Sequence, residues 1–310
     1  MVDLGVMEQV VLVVGEALVD VVRARDGSVR DHPGGSSANA AVALARLGRP
    51  VRFVTAYADD DHGRLLAEHL GDNGVRLGSD PVILERTATA IATLAESGAA
   101  TYVFDIDWRI GPVSLEGDEP VAVVFGSIGA ALEPGAEDVA RLVGQHRATA
   151  LTVFDVNARP AITGTSKAVV ARVEAMAALA DVVKASDEDL EALWPGLEHR
   201  EVAARLLDQG TGAVVVTLGE RGLAWFTPDG EGVVPAVRTE VADTIGAGDT
   251  VTAAIVDGLW DLGVVGSAAR GGLAALRAED WTAVLEHAGR AAAITVGRPG
   301  GDPPWRHELG

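Results

Sequence analysis

Short β-branched runs alternate with longer Ala- and Leu-rich stretches along nearly the whole of this 310-residue chain. The runs Val10–Val14, Val51–Thr55, Val121–Phe125, Leu151–Phe154, Asp181–Lys184 and Ala213–Thr217 have strand length and little polar alternation. Between them, Ser37–Leu47, Asp61–Leu70, Ala136–Gln145, Lys167–Leu179, Asp187–Leu193, Glu201–Gln209, Gly248–Leu262 and Trp281–Thr295 carry helical spacing. A strand that is apolar on both faces needs cover on both. The alternation therefore predicts an α/β fold, a mostly parallel sheet between helices. Ligands in such sheets bind beyond the carboxyl ends of the strands. Two segments break the pattern. Leu18–His32 alternates polar and apolar residues around Asp26-Gly27, and Ala88–Asp105 does so around Ser97-Gly98. Both read as half-buried hairpins, a small separate sheet that either covers a site or pairs two subunits.

The charge balance limits the partners. With 45 acidic against 25 basic residues and a net charge of −20, the chain is poorly suited to a nucleic-acid backbone or an anionic membrane. A nucleotide in a local pocket remains compatible. The absence of cysteine removes disulfides, thiolate catalysis and Cys-based zinc sites. The histidines form no H-x-x-x-H pair. The apolar run Val10–Val14 is broken by Gly15 and Glu16 and has no basic leader, so it reads as a strand and not a signal peptide. Val121–Leu132 is too short to span a bilayer. With no repeat and no linker, one cytoplasmic domain covering 1–310 is expected.

Three stretches carry chemistry. In Asp243-Thr244-Ile245-Gly246-Ala247-Gly248-Asp249, small residues at 246–248 permit a tight turn and leave N–H groups uncovered at the start of a long apolar helix. That is an anion site. An aspartate inside it repels the anion unless it acts as general base on a hydroxyl attacking a bound phosphate. Taken alone, the same residues also fit a plain helix capped by Asp249. Gly34-Gly35-Ser36-Ser37-Ala38-Asn39 again frees the backbone, and Asn39 offers the donor and acceptor that suit a sugar hydroxyl. A helix start capped by Ser36 or Ser37 is the other reading. Gly15-Glu16-Ala17-Leu18-Val19-Asp20 puts a carboxylate, Asp20, just past the first strand, in a site or in a solvated turn.

These stretches resemble the signatures of the ribokinase-like (PfkB) carbohydrate kinases. Gly34–Gly48 looks like the first signature and Asp243–Asp249 like the second, D-T-x-G-A-G-D. Between them Asp155-Val156-Asn157-Ala158-Arg159-Pro160 resembles the D-x-N-x-R-P segment, and Thr217-Leu218-Gly219-Glu220-Arg221-Gly222 the T-L-G-x-x-G turn. The likeness runs from about Val10 to Arg306, and the opening G-E-A-L-V-D is most similar to fructokinases. It implies a ribokinase-like fold with a β lid at about 18–33 and 87–107, and transfer of the γ-phosphoryl of ATP to a primary hydroxyl of a sugar. Asp249 matches the base, and Gly246, Ala247 and Gly248 the anion hole. Asp20, Gly34, Gly35 and Asn39 match sugar contacts. Arg159 suits a substrate or nucleotide phosphate, or an ion pair. Lys184, Ser186, Thr217, Gly219 and Gly222 fall on the nucleotide side.

Lys184–Asp189 corresponds to the family's N-x-x-E segment, which organises Mg²⁺ and its waters. Here Ser186 replaces the Asn, and Asp189, one methylene shorter, replaces the Glu. The same run reads as a capped helix start. Thr295–Gly300 corresponds to a loop that closes on 243–245, where carbonyls of Asp243 and Ile245 would ligate K⁺. The implied partners are a small sugar and ATP, with no nucleic acid and no membrane. The edges of the lid sheet favour a homodimer. Ribose, 2-keto-3-deoxygluconate or a nucleoside are alternative acceptors. A sugar phosphate is disfavoured by the lack of a basic cluster, Arg109 apart. A non-catalytic nucleotide or sugar sensor is the alternative of another class. Asp59-Asp60-Asp61 reads as a helix cap at Asp60 or Asp61. Trp108 either stacks on a sugar or plugs the hinge, and Gly126–Gly129 is the turn at the floor of the site.

Overall fold

The computed structural model describes residues 7–24, 27–94 and 100–310. In chain order the strands are β1 (Glu8–Val14), β2 (Leu18–Arg23), β3 (Val29–Gly34), β4 (Val51–Val54), β5 (Arg76–Leu77), β6 (Thr89–Leu94), β7 (Ala100–Asp105), β8 (Asp118–Gly126), β9 (Leu151–Asp155), β10 (Val182–Ser186), β11 (Ala213–Thr217), β12 (Leu223–Thr227) and β13 (Gly230–Val234). The helices are α1 (Ser36–Arg46), α2 (Asp61–Asp72), α3 (Ser127–Ala131), α4 (Gly135–His146), α5 (Pro160–Thr163), α6 (Lys167–Ala177), α7 (Asp187–Leu193), α8 (His199–Leu207), α9 (Ala247–Asp261), α10 (Ala269–Ala275) and α11 (Ala278–Val296).

The predicted strand runs become β1, β4, β8, β9, β10 and β11. They pair in parallel within a nine-stranded sheet ordered β13-β12-β11-β10-β9-β8-β1-β4-β5. The short edge strand β5 and the antiparallel β12 and β13 are additions that strand periodicity did not reveal. Alternate residues of β1 enter two cores. Val11 and Val13 pack with α1, α9 and α11, while Leu12 and Val14 pack with α4, α6 and α8. This two-sided burial explains why the strands read as continuous apolar runs. β1 lies between β8 and β4, so the chain winds outward from it in both directions. The carboxyl ends of β1 and β8 therefore form the topological switch point, where a ligand crevice opens.

The second sheet has four strands, β3-β2-β6-β7. The two expected hairpins form, β2 with β3 and β6 with β7, and a parallel β2–β6 pairing joins them. Asp26 and the turn at Ser97-Gly98 lie outside the described residues. Register places Asp20 opposite both His32 and Ala90, and Ala90 opposite Phe104, so these four share one face. The other face carries Val19 and Val21, buried in the same core as Leu66 and Leu70 of α2.

α9 is buried nearly all round, as its long apolar run requires. A buried helix must be fixed at its far end if its start is to be precise. Asp257, 0% exposed, does this: it accepts from Arg49 Nε (2.6 Å) and pairs with His287 Nε2 (2.8 Å) and with Arg306. One carboxylate so joins α9 to α11, to the turn after α1 and to the C-terminal segment. Asp257→Asn should leave the Arg49 and Arg306 guanidiniums without their anion and cost about 3–5 kcal/mol. Urea unfolding would show it as a lower midpoint at unchanged slope.

Candidate active site

The carboxyl ends of β1, β8, β9, β10 and β11 deliver Gly15-Glu16, Gly126, Asp155, Lys184–Ser186 and Thr217 to one edge of the large sheet. α9 starts above them. Its N-cap is Gly246, in the left-handed region at φ +72°, with no side-chain cap. Ala247 N–H makes only a long contact to the Thr244 carbonyl, 3.4 Å. Among the described residues nothing accepts from the N–H groups of Gly248 and Asp249. A Cβ on Gly248 would come within 2.8 Å of Lys184 Nζ. A buried ammonium thus sits directly behind the free amides. Lys184, 3% exposed, is held by both oxygens of Asp155 at 3.1 Å, and Thr252 Oγ1 donates to Asp155 Oδ2 at 2.7 Å. Burial opposes the lysine's charge, but Asp155, Asp189 and Asp249 outweigh it and raise its pKa. The ammonium stays protonated.

Asp249 is not a cap. It is the third residue of α9, 7% exposed, and its carboxylate reaches across to α1. Ser36 Oγ donates to Oδ1 at 2.6 Å and Asn39 Nδ2 to Oδ2 at 2.8 Å. The N-cap of α1 is Gly35, again without a side-chain cap, so neither Ser36 nor Ser37 caps that helix. Gly35 has φ +99°, and a Cβ there would fall 2.8 Å from the Glu16 carbonyl oxygen. Only glycine turns the chain so close to β1.

Asp20 is half-buried on β2, and among the described residues no group donates to its carboxylate. Burial raises its pKa, opposed by His32 and Arg159. A Cβ on Gly34 would lie 2.4 Å from its Oδ2. Arg159 is exposed and donates to Asn157 Oδ1 at 2.6 Å. Ser186 and Asp189 form a capping box at α7: Asp189 N–H donates to Ser186 Oγ (3.0 Å) and Ser186 N–H to Asp189 Oδ2 (2.7 Å). Asp189 Oδ1 accepts from Ala158 N–H at 2.8 Å, so both oxygens already serve the protein. Gly219 and Gly222 bound the tight β11–β12 turn. Gly222, at φ +100°, packs so closely that a Cβ would sit 2.0 Å from the Val234 carbonyl oxygen. Asp243 accepts from Ile245 N–H and Gly300 N–H, each at 3.0 Å, and the Ile245 amide above all holds its carboxyl below the usual range. The 243–245 turn and the loop after α11 are thereby tied together. Asp60 caps α2 through Gly63 N–H. Trp108 is 2% exposed and donates to the Gly129 carbonyl at 2.8 Å, a plug and not a stacking surface.

Residues 8–308 match the pfkB family of carbohydrate kinases. The chain belongs to this family. A fructokinase of Rhizobium leguminosarum bv. trifolii is 36% identical over 262 residues, 80% of this chain and 79% of that one. An aminoimidazole riboside kinase of Salmonella typhimurium is 33% identical over 252 residues, 77% of each. Among solved structures, a Xylella fastidiosa fructokinase with bound ATP superposes at a TM-score of 0.84 with 25% identity, covering 98% of this chain and 97% of that one. The protein is thus a phosphotransferase of the sugar-kinase class.

Sequence reasoning passed over two carboxylates of this kinase. One is Asp155, read only as part of a motif. The other is Glu16, 3% exposed, which accepts from Ser36 N–H (3.1 Å) and Gly129 N–H (3.0 Å) and so bridges the switch point between β1 and β8. Both stand at or just past a strand's carboxyl end, a position that could have flagged them. Burial, aided by nearby Asp249, pushes the Glu16 carboxyl up from 4.5 to about 7 against the pull of its donors. In the unfolded chain Glu16 loses its proton near 4.5, while the folded chain keeps it to about 7. Its contribution to stability is therefore full below 4.5 and lost as pH rises to about 7, a gap worth about 3 kcal/mol. Glu16→Gln should remove that slope. Relative to wild type, the variant's unfolding free energy should climb between pH 4.5 and 7 and stay flat outside that window.

Proposed function

We propose that this kinase moves the γ-phosphoryl of ATP to a primary hydroxyl of a fructose-like sugar, with Asp249 as general base. One observation carries the reading: a buried carboxylate stands beside two unpaired amides, with a lysine ammonium behind them. Amides and ammonium suit the transferring phosphoryl, and the carboxylate suits the attacking hydroxyl. Gly246, Ala247 and Gly248 form the anion hole. Lys184 adds its charge through the floor of the site without touching the surface. Thr217, Gly219, Gly222 and Ser186 line the nucleotide side. The sugar lies against the four-stranded sheet, with Asp20 accepting its hydroxyls, Asn39 near the reacting end and Gly34 and Gly35 leaving room. Arg159 meets the acceptor or the phosphates. The small sheet acts as a lid that excludes water, which would otherwise compete as acceptor.

Mg²⁺ bound together with ATP would supply neutralisation of the phosphate charge. The donor set fits a hydrated ion, since Mg²⁺ keeps several waters and needs no all-protein cage. Asp189 reaches it only through water, because two amides already hold its oxygens. The carbonyls of Asp243 and Ile245 accept from no described residue and suit K⁺. The compartment is the cytoplasm. Among the described residues no single helix is long and apolar enough to cross a membrane. The outer strands of the lid sheet, β3 and β7, support a homodimer. The aminoimidazole riboside kinase relative supports a second reading, a nucleoside acceptor.

An ADP-release assay over fructose, ribose, 2-keto-3-deoxygluconate and a nucleoside should show fructose with the highest kcat/KM. No ADP release with any acceptor would overturn the kinase reading. Asp249→Asn should bind ATP normally and lose turnover, and unchanged turnover would reject the base. Gly248→Ala should push Lys184 aside and raise the barrier by about 2.7–4 kcal/mol, the loss typical of one aimed donor. A wild-type rate in that variant would reject the anion hole.

A further inference from the structure

Asp249 stands at the end of a chain of side chains whose hydrogen-bond direction is settled by chemistry. Arg159 Nη1 meets Asn157 Oδ1 at 2.6 Å, and a guanidinium only donates. The oxygen of the Asn157 amide must therefore face Arg159, and its nitrogen faces Ser36 Oγ, also at 2.6 Å. That nitrogen only donates too. The single proton of the Ser36 hydroxyl is then left to point at Asp249 Oδ1, 2.6 Å away. Every link runs toward the carboxylate, and links of one direction polarise each other.

The two middle residues are held for this arrangement. Ser36 caps nothing; its own N–H is fixed by Glu16 Oε1 at 3.1 Å. Asn157 has φ +33°, a region that side chains rarely enter. Its turn is clamped on either side, by Val156 N–H on the Lys184 carbonyl at 2.9 Å and by Ala158 N–H on Asp189 at 2.8 Å. The positive φ is thus imposed by neighbours on β10 and α7.

We propose that Ser36 is a positioning residue for the base, steered by Asn157, so that the turn after β9 sets the angle at which Asp249 meets the acceptor hydroxyl. The inference rests on reading Asp249 as the base. With Ser36 on Oδ1 and Asn39 on Oδ2, the carboxylate cannot turn about its χ2 bond, and its remaining lone pairs face a fixed direction. Loss of the hydroxyl frees that rotation without touching the nucleotide side.

The test is steady-state kinetics of the full chain with Mg-ATP and its best sugar, for Ser36→Ala, Ser36→Thr, Asn157→Gly and the Ala/Gly double variant. Glycine accepts the positive φ, so Asn157→Gly removes the side chain and keeps the turn. Ser36→Ala should lower kcat by roughly 10- to 100-fold, the range of one hydrogen bond to a charged group, with KM for ATP within about twofold of wild type. Ser36→Thr, which keeps the hydroxyl, should regain most of the rate. Asn157→Gly should lose a similar factor, and the double variant should be no slower than the slower single variant. A Ser36→Ala kcat equal to wild type, a Thr variant no faster than the Ala variant, or a double variant in which the two losses multiply would each overturn the proposal. Those outcomes leave the base assignment intact, because that stands or falls with Asp249→Asn.

Discussion

The Lys184–Asp155 ion pair, buried beneath the first turn of α9, is the contact on which the rest of the site is built. Either charge alone would be costly at that depth. Together, and with Thr252 supplying a further donor to Asp155, they place a permanent positive charge behind Gly248. The absence of a Cβ at Gly248 is what lets the ammonium come so near the helix start. The pair also joins three elements, β9, β10 and α9, so the free amides of α9 are set by the sheet and not by a mobile loop.

A second carboxylate does comparable work at the switch point. The strand order leaves a crevice between the ends of β1 and β8, and Glu16 closes its floor through Ser36 and Gly129. The N–H it takes from Ser36 would otherwise be an orphan of the first turn of α1. The same carboxylate therefore caps a helix from a distance and fixes where the Ser36 hydroxyl begins. Asp249 is near enough for Glu16 to feel its charge, which joins the crevice floor to the first turn of α9.

Much of the fold was legible because periodicity reports burial directly. Runs such as Val10–Val14 and Ala213–Thr217 have no polar face, and only a strand covered on both sides accommodates that. The hairpins showed through their alternation, although the β2–β6 pairing that makes them one sheet did not. β13 was missed because Gly230 and Gly232 interrupt any apolar pattern; Gly232 is there to admit the Trp225 ring, which a Cβ would meet at 2.6 Å. In the site, Asp249 was visible because an acidic residue among small ones is chemically out of place. Ser36, Asn157 and Glu16 were not, since each is an ordinary residue type whose meaning lies in a partner 213, 121 or 113 positions away.

Local residues by themselves determined the strand–helix alternation, the glycine turns at 35, 222 and 246, and the unpaired helix start at 246–249. These follow from sterics and from patterns confined to a few neighbours in the chain. Tertiary structure alone decided that Asp249 faces α1, that Asp189 spends its carboxylate on two backbone amides, and that Trp108 is buried as a plug. A side chain's hydrogen-bond partner is chosen by which strand ends the sheet order brings together, and that order is a property of the whole packed core, which no short segment encodes.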